Sequence, residues 1–276
     1  MQPEEEAVIR RWSEASNPSA ALALETTGDP RSEQLAQFCE QLTLLAPGIE
    51  IRKKKRDTED PPAIAICDNI RYHGVPEANE LPPFLEMVGS ISDGTTPPSS
   101  SEAGLAGLDL PAELELYVSP QCVHCPAMVG RTWPVARASR FVRLSIVDAG
   151  LFAQRAADAG IRSVPTLVLD GAFRWTGEVP IADVSRMILS RNPADLSESA
   201  LLSFLAEGNA GRIVELMKSH QTVFPALIDL LTHEKWPRRL GAMVAMESLA
   251  EEDPSLAARA ATSLIDRLDH LTEDVK

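Results

Sequence analysis

Over residues 20–90 and again over 114–190, short apolar blocks of strand length alternate with stretches of helical spacing. The first stretch predicts a strand at Ala20–Glu25, a helix from about Ser32 to Leu45, and strands at Ile49–Arg52 and Pro62–Ile66. The second predicts a strand at Leu114–Val118, a helix beginning at Cys122 and Cys125, and strands at Phe141–Ile146 and Pro165–Leu169. Aligned with each other, both read strand, helix, strand, helix or loop, strand, strand, helix, so the chain holds an internal repeat. In each copy a proline precedes an apolar run that ends in a turn, Asp68-Asn69 or Asp170-Gly171, which reverses the chain into a hairpin. The hairpins pair Ala63–Cys67 with Ile70–His73 and Thr166–Leu169 with Ala172–Trp175, and a closing helix follows each, around Glu77–Met87 and Pro180–Ser190.

Between the copies, Ser92–Ser101 is rich in turn formers and leads into a short expected helix over Glu102–Leu108. From Asn192 onward the apolar residues keep a helical period: Leu196 to Leu205, Ile213 to Met217, Leu227 to Leu231, Leu240 to Leu249, and Leu256 to Leu268. Short loops make these helices antiparallel neighbours. The run from Phe224 to Ala242 resembles a HEAT-type helical repeat; such solenoids stack several repeats, so a longer parent protein is expected beyond Lys276.

The chain has 276 residues, 44% hydrophobic and 24% charged, enough for two or three compact domains. The acidic start Glu4-Glu5-Glu6 is unlike a signal peptide, and no run approaches the roughly 20 apolar residues of a membrane helix. A cytoplasmic protein with no membrane contact is therefore expected. A net charge of −14 argues against a nucleic-acid partner. The basic run Arg52-Lys53-Lys54-Lys55-Arg56 reads as an edge strand defended by charge. Four cysteines make no disulfide framework; Cys39 falls in the apolar phase of a helix and Cys67 ends a strand, both read as buried, inert core residues, leaving Cys122 and Cys125 as a spaced pair.

Cys122-Val123-His124-Cys125 follows a strand and the turn Ser119-Pro120-Gln121 and opens a helix expected to stop or kink at Pro134. A helix N-terminus favours negative charge on a sulfur. Cys122 is thus the expected exposed nucleophile and Cys125 the buried resolving thiol of a dithiol–disulfide couple. His124 has two readings: a cation that stabilises the thiolate, or an exposed residue of little influence. Val164-Pro165 before a strand, about forty residues on, reads as a cis bond that places a backbone edge beside the sulfurs for substrate pairing, over a proline that only starts a strand.

Leu114–Asp170, with Ser119–Pro126, Val147-Asp148-Ala149-Gly150 and Ser163–Leu167, resembles the redox-active unit of glutaredoxin-like protein disulfide oxidoreductases. It equally resembles the N-terminal domain of the flavoprotein subunit of alkyl hydroperoxide reductase. The resemblance implies an α/β architecture of two tandem thioredoxin-like folds, here followed by an all-α HEAT-like domain. The expected bounds are 1–92 for the copy without CxxC, 93–109 for the linker, 110–193 for the redox-active copy and 194–276 for the helical part. Only the second copy is redox-active in the peroxide-reductase relatives, and Thr26-Thr27-Gly28-Asp29-Pro30 stands in place of cysteines in the first. The resemblance also extends over Ile70–Leu81, where it implies that the acid at Glu80 reaches across to the dithiol as a pKa-tuning or proton-transferring group. The other reading of Glu80 is an ordinary first-turn helix acid.

No GxGxxG fingerprint is present, so no flavin or nicotinamide is inferred and the redox-active disulfide needs no cofactor. The resemblance implies a thiol–disulfide oxidoreductase acting on protein disulfides or dithiols, with a peroxiredoxin or a separate flavin-dependent reductase as candidate partner. A redox-regulated helical binding module is the alternative. A zinc site would need two further ligands; His73 is the one loop-region candidate, whereas His220, His233 and His270 read as solvated or capping groups.

Overall fold

The computed structural model describes residues 1–56, 60–92, 104–108 and 110–267. The turn-rich linker after Ser92, the first two residues of its expected helix and His270 lie outside them, whereas Leu105–Gly107 of that helix forms a single 3-10 turn. The elements, in order, are α1 (Pro3–Ser16), β1 (Ala20–Thr26), α2 (Arg31–Leu45), β2 (Ile49–Lys55), β3 (Ala63–Cys67), β4 (Ile70–His73) and α3 (Leu81–Ser92). There follow β5 (Ala112–Val118), α4 (Cys125–Ala138), β6 (Val142–Asp148), α5 (Ala153–Asp158), β7 (Thr166–Leu169), β8 (Phe173–Thr176) and α6 (Ile181–Ser190). The last third is helical: α7 (Glu198–Ala206), α8 (Ala210–His220), α9 (Pro225–Leu231), α10 (Trp236–Glu252), α11 (Pro254–Ala257) and α12 (Ala260–Ile265). Residues 1–109 with 113–189 form one compact unit, and residues 110–112 with 190–276 another.

In the first unit the two thioredoxin-like copies share one mixed sheet of eight strands, ordered β2-β1-β3-β4-β6-β5-β7-β8. Each copy has the same internal order, and they join where β4 runs parallel to β6, with Ile70 opposite Leu144 and His73 opposite Val147. Buried β-branched and aliphatic residues on both faces of the central strands explain their near-continuous apolar runs. The basic strand β2 is indeed at the sheet edge, where Arg52 pairs with Glu50 and Lys53 with Glu40.

Two further contacts lock the copies together. The Asn69 amide, in the first hairpin turn, donates to the carbonyls of Ala136 (2.7 Å), Ser139 (3.2 Å) and Val142 (2.8 Å), capping the end of α4. Arg31, beside the loop that lacks cysteines, donates to the Leu151 carbonyl at 2.8 Å and lies 4.2 Å from the Phe152 ring centroid.

Two features depart from the sequence reading. Helix α1 was not foreseen, because only Ile9 is fully buried along it and its apolar stripe is too thin to announce a helix. Helix α4 runs through Pro134 to Ala138. The ring removes one hydrogen bond, to the carbonyl of Gly130, but burial of Thr132, Trp133, Val135 and Ala136 on both sides of it sustains the helix. In the second unit α10 packs against α7, α8, α9 and α11. No helix among the described residues is long and apolar enough to cross a membrane.

Asn69 predicts a measurable cost. Asn69→Ala leaves part-buried carbonyls at the α4 terminus without a donor and should lower the unfolding free energy by about 2 kcal/mol in a denaturant titration. A loss below about 0.5 kcal/mol would mean that the amide does not tie the copies together.

Candidate functional site

Strand β5 delivers the chain to Ser119, whose carbonyl accepts from Cys122 N–H at 2.9 Å and closes the turn. Helix α4 then starts at Cys125, with Pro126 in its first turn where a missing N–H costs nothing. The Cys125 backbone N–H, one of the unpaired donors of that helix start, points at Cys122 Sγ at 3.2 Å. Cys122 Sγ is also 3.8 Å from the Val164 carbonyl. Cys122 is part-exposed, whereas Cys125 is completely buried. Burial, then the neighbouring Cys122 sulfur, push the Cys125 thiol well above the usual range.

The Val164–Pro165 peptide is cis. Its shape is fixed from the far side by Gly177, which has φ +84° and donates its N–H to the Pro165 carbonyl at 2.8 Å. Val123 projects into solvent beside the sulfurs, 75% exposed. His124 has its Nδ1 3.5 Å from Glu178 Oε1, and Glu178 Oε2 takes Arg131 at 3.0 Å. Glu178 was not singled out from the sequence, since nothing in the spacing of Gly177-Glu178-Val179 marks a partner for His124.

Glu80 comes to this site from the other copy. Between β4 and α3 the chain makes a single tight helical turn, Ala78–Glu80, entered with φ +47° at Ala78. Two hydrogen bonds hold that turn: Ala78 N–H donates to Glu5 of α1 at 2.8 Å, and Asn79 N–H to the Pro120 carbonyl of the cysteine loop at 3.2 Å. Glu80 is completely buried. Its Oε2 accepts from the Tyr72 hydroxyl at 3.1 Å, and its Oε1 has no hydrogen-bond partner. Burial pushes its carboxyl up to about 7, with the Tyr72 donor opposing and the Asp148 charge adding to the shift. The charge of Glu80 in turn helps to raise Cys125.

The remaining candidates separate from the site. Cys39 is buried, its thiol pushed up to about 12 by desolvation, and Cys67 donates to Asn69 Oδ1 at 3.2 Å. His73 is buried with Nδ1 3.1 Å from the Pro62 carbonyl, and burial pushes its ring down to about 3. Among the described residues no group of three or more His, Cys, Asp or Glu side chains is placed to hold a metal ion. His233 accepts from Lys235 N–H at 2.9 Å in the helical unit, a local cap.

Comparison with known proteins agrees with this fold. The thioredoxin domain family matches residues 112–190. The F subunit of alkyl hydroperoxide reductase from Xanthomonas campestris pv. phaseoli is 24% identical over 190 residues, covering 64% of this chain and 35% of that protein. The chain thus spans about a third of the length of the curated relatives it matches. Among solved structures, the NTD_N/C domain of alkylhydroperoxide reductase AhpF from Enterococcus faecalis (V583) superposes with a TM-score of 0.57 at 21% identity, over 68% of this chain and 100% of that one. A protein disulfide oxidoreductase from Aeropyrum pernix k1 gives a TM-score of 0.61 at 16% identity, over 68% of this chain and 92% of its own. The chain carries a thioredoxin domain with a Cys122-x-x-Cys125 pair, set in a tandem fold like these two and followed by a helical unit.

Proposed function

We propose that this chain is a thiol–disulfide oxidoreductase that passes electrons between Cys122-Cys125 and the disulfides or dithiols of protein partners. The observation that carries the reading is the asymmetry of the pair: an accessible sulfur facing a helix N–H and a cis-proline edge, backed by a fully buried one. The Cys122 thiolate attacks a substrate disulfide, one substrate sulfur leaves as a thiolate, and a mixed disulfide forms. Cys125 loses its proton and attacks Cys122 Sγ, which breaks the mixed disulfide, releases the second substrate thiolate and leaves Cys122-Cys125 oxidised. A dithiol donor reverses both steps to recharge the site.

Val164 and Pro165 supply the backbone edge against which an extended substrate segment lies, with the exposed Val123 as its apolar neighbour. Glu80 is the group that takes the Cys125 proton: it is buried, it holds a carboxyl near neutrality, and one of its oxygens is unpartnered. The exposed contact of His124 with Glu178 supports a role for His124 in partner docking. The alkyl hydroperoxide reductase relatives and their tandem fold favour a peroxiredoxin or a separate flavin-dependent reductase as partner, within the reducing cytoplasm.

A second reading makes the chain a redox-regulated binding module whose HEAT-like helices do the main work. One observation favours it: Trp236, Leu240 and Val244 recur every four residues along one exposed line of α10. Turnover of a generic protein disulfide such as insulin separates the two, since a binding module does not turn over.

Equilibration in glutathione buffers, followed by thiol counting and mass, should show a reversible two-electron transition that Cys122→Ser and Cys125→Ser each abolish. A wild-type protein without that transition contradicts the oxidoreductase reading. Glu80 also makes stability depend on pH. Between its ordinary value of 4.5 and the folded value of about 7 the folded chain keeps a proton that the unfolded chain has lost, so this carboxyl lowers stability as pH rises through that window. His73 has the opposite slope: below 6.5 the unfolded chain takes a proton that the folded chain, with its ring down at about 3, refuses. The stability of Glu80→Gln relative to wild type should therefore increase by about 3 kcal/mol from pH 4.5 to pH 7. A difference that stays flat over that range would place the Glu80 carboxyl in an ordinary, ionised state.

A further inference from the structure

We propose that Tyr72 is a positioning residue of the proton step: its hydroxyl fixes one oxygen of Glu80, so that the other is left to exchange a proton with Cys125. This rests on the dithiol reading above and deepens it. The two oxygens of Glu80 are not equivalent. Oε2 accepts from Tyr72 OH at 3.1 Å, whereas Oε1 is buried with no partner. An orphaned oxygen on a completely buried carboxyl is costly unless the group holds a proton part of the time.

Tyr72 is in turn held rigidly. It is fully buried on β4, opposite Ile146 of β6, and its ring stands edge-on to Phe84 with centroids 5.5 Å apart. Gly74 keeps this corner narrow: a side-chain carbon there would meet the Tyr72 ring at 3.3 Å and Asp148 Cβ at 3.0 Å. The Glu80 turn is pinned from outside by Glu5 through Ala78 N–H and from the cysteine loop through Asn79 N–H to Pro120. The carboxyl therefore has little freedom to present its oxygens the other way round.

The titratable groups that face Glu80 are Tyr72 on β4, Asp148 at the end of β6 and Cys125 at the start of α4; Glu5 and Glu77 flank its turn. When the mixed disulfide at Cys122 is resolved, the Cys125 proton moves to Glu80 Oε1 and the thiolate displaces the substrate thiolate from Cys122. When a dithiol donor later reduces Cys122-Cys125, Cys125 leaves as a thiolate and takes a proton back from Glu80. One proton thus shuttles between two buried atoms while two electrons pass to or from the partner. Tyr72 OH donates to the ionised carboxylate and favours it, which keeps Glu80 able to accept near neutral pH.

The test is the pH dependence of mixed-disulfide resolution, followed by quenched single turnover in wild type, Tyr72→Phe and Glu80→Gln. The Phe variant keeps the ring against Phe84 and deletes only the donor. The wild-type rate should rise through a midpoint near 7, the Phe variant through one about one pH unit higher, and the Gln variant should show no such midpoint. An unmoved midpoint in Tyr72→Phe overturns the inference, because a merely structural tyrosine changes stability and leaves the midpoint in place. If the Phe variant does not fold, wild-type protein labelled with 13C at the tyrosine Cζ and the glutamate carboxyl decides: the Tyr72 signal must follow the Glu80 titration, and a Tyr72 signal flat across it overturns the inference. A wild type that forms no mixed disulfide at all defeats the oxidoreductase reading itself. A normal wild-type turnover with an unmoved Phe midpoint defeats only the role of Tyr72.

Discussion

The parallel pairing of β4 with β6 is the constraint on which the site depends. Four residues of one copy, Ile70–His73, lie against Leu144–Val147 of the other and turn two similar folds into one continuous sheet. Sheet geometry then places the groups of the site. Strand β4 carries Tyr72 and leads directly into the Glu80 turn, while β6 ends at Asp148. A carboxyl from the copy that has no CxxC pair is thereby delivered to the cysteine loop of the copy that has one. Asn69 and Arg31 reinforce the same junction from its two ends, by hydrogen bonds to the α4 terminus and to the loop after β6. The first copy is thus part of the site and not only a neighbour of it.

Glu80 stands apart from the other buried acid of the first copy, Glu25. Glu25 sits between Arg56 at 2.6 Å and Arg71 at 3.0 Å, and its carboxyl lies below the usual range, those two contacts outweighing the upward push of burial. Glu80 has only a tyrosine hydroxyl, and Cys125 is a buried thiol whose ionised form is disfavoured. Perturbed groups of this kind collect where a protein does chemistry, because proton affinity near neutrality is worth more there than stability. The charge of Glu80 disfavours an ionised Cys125, so the ionisation of each depends on the other.

Much of this was legible in the sequence, for reasons that can be named. The hairpins carry their own signals, a proline, an apolar run and an Asp-Asn or Asp-Gly turn, and Asp170 and Gly171 do adopt φ of +52° and +70°. The Cys122 loop follows from a strand, a proline turn and a CxxC before a helical stretch. What was not legible depends on residues far apart in the chain. No local pattern says that β4 pairs with β6, that Asn69 caps α4, or that Glu178 takes His124. Helix α1 escaped notice because its buried face is narrow, although Glu5 on it holds the Glu80 turn. Glu80 was reached through family resemblance alone; its own sequence, Glu77-Ala78-Asn79-Glu80, looks like an ordinary helix start.

On this reading the dithiol of one copy and the carboxyl of the other form a single titrating unit. The most direct measurement is the dithiol–disulfide equilibrium of wild type and Glu80→Gln in glutathione buffers across pH 5 to 9. If the unit exists, the wild-type curve of midpoint potential against pH bends near 7, and the Gln variant runs without that bend. Two parallel curves over the whole range would contradict the account and leave Glu80 as a buried residue with no part in the redox couple.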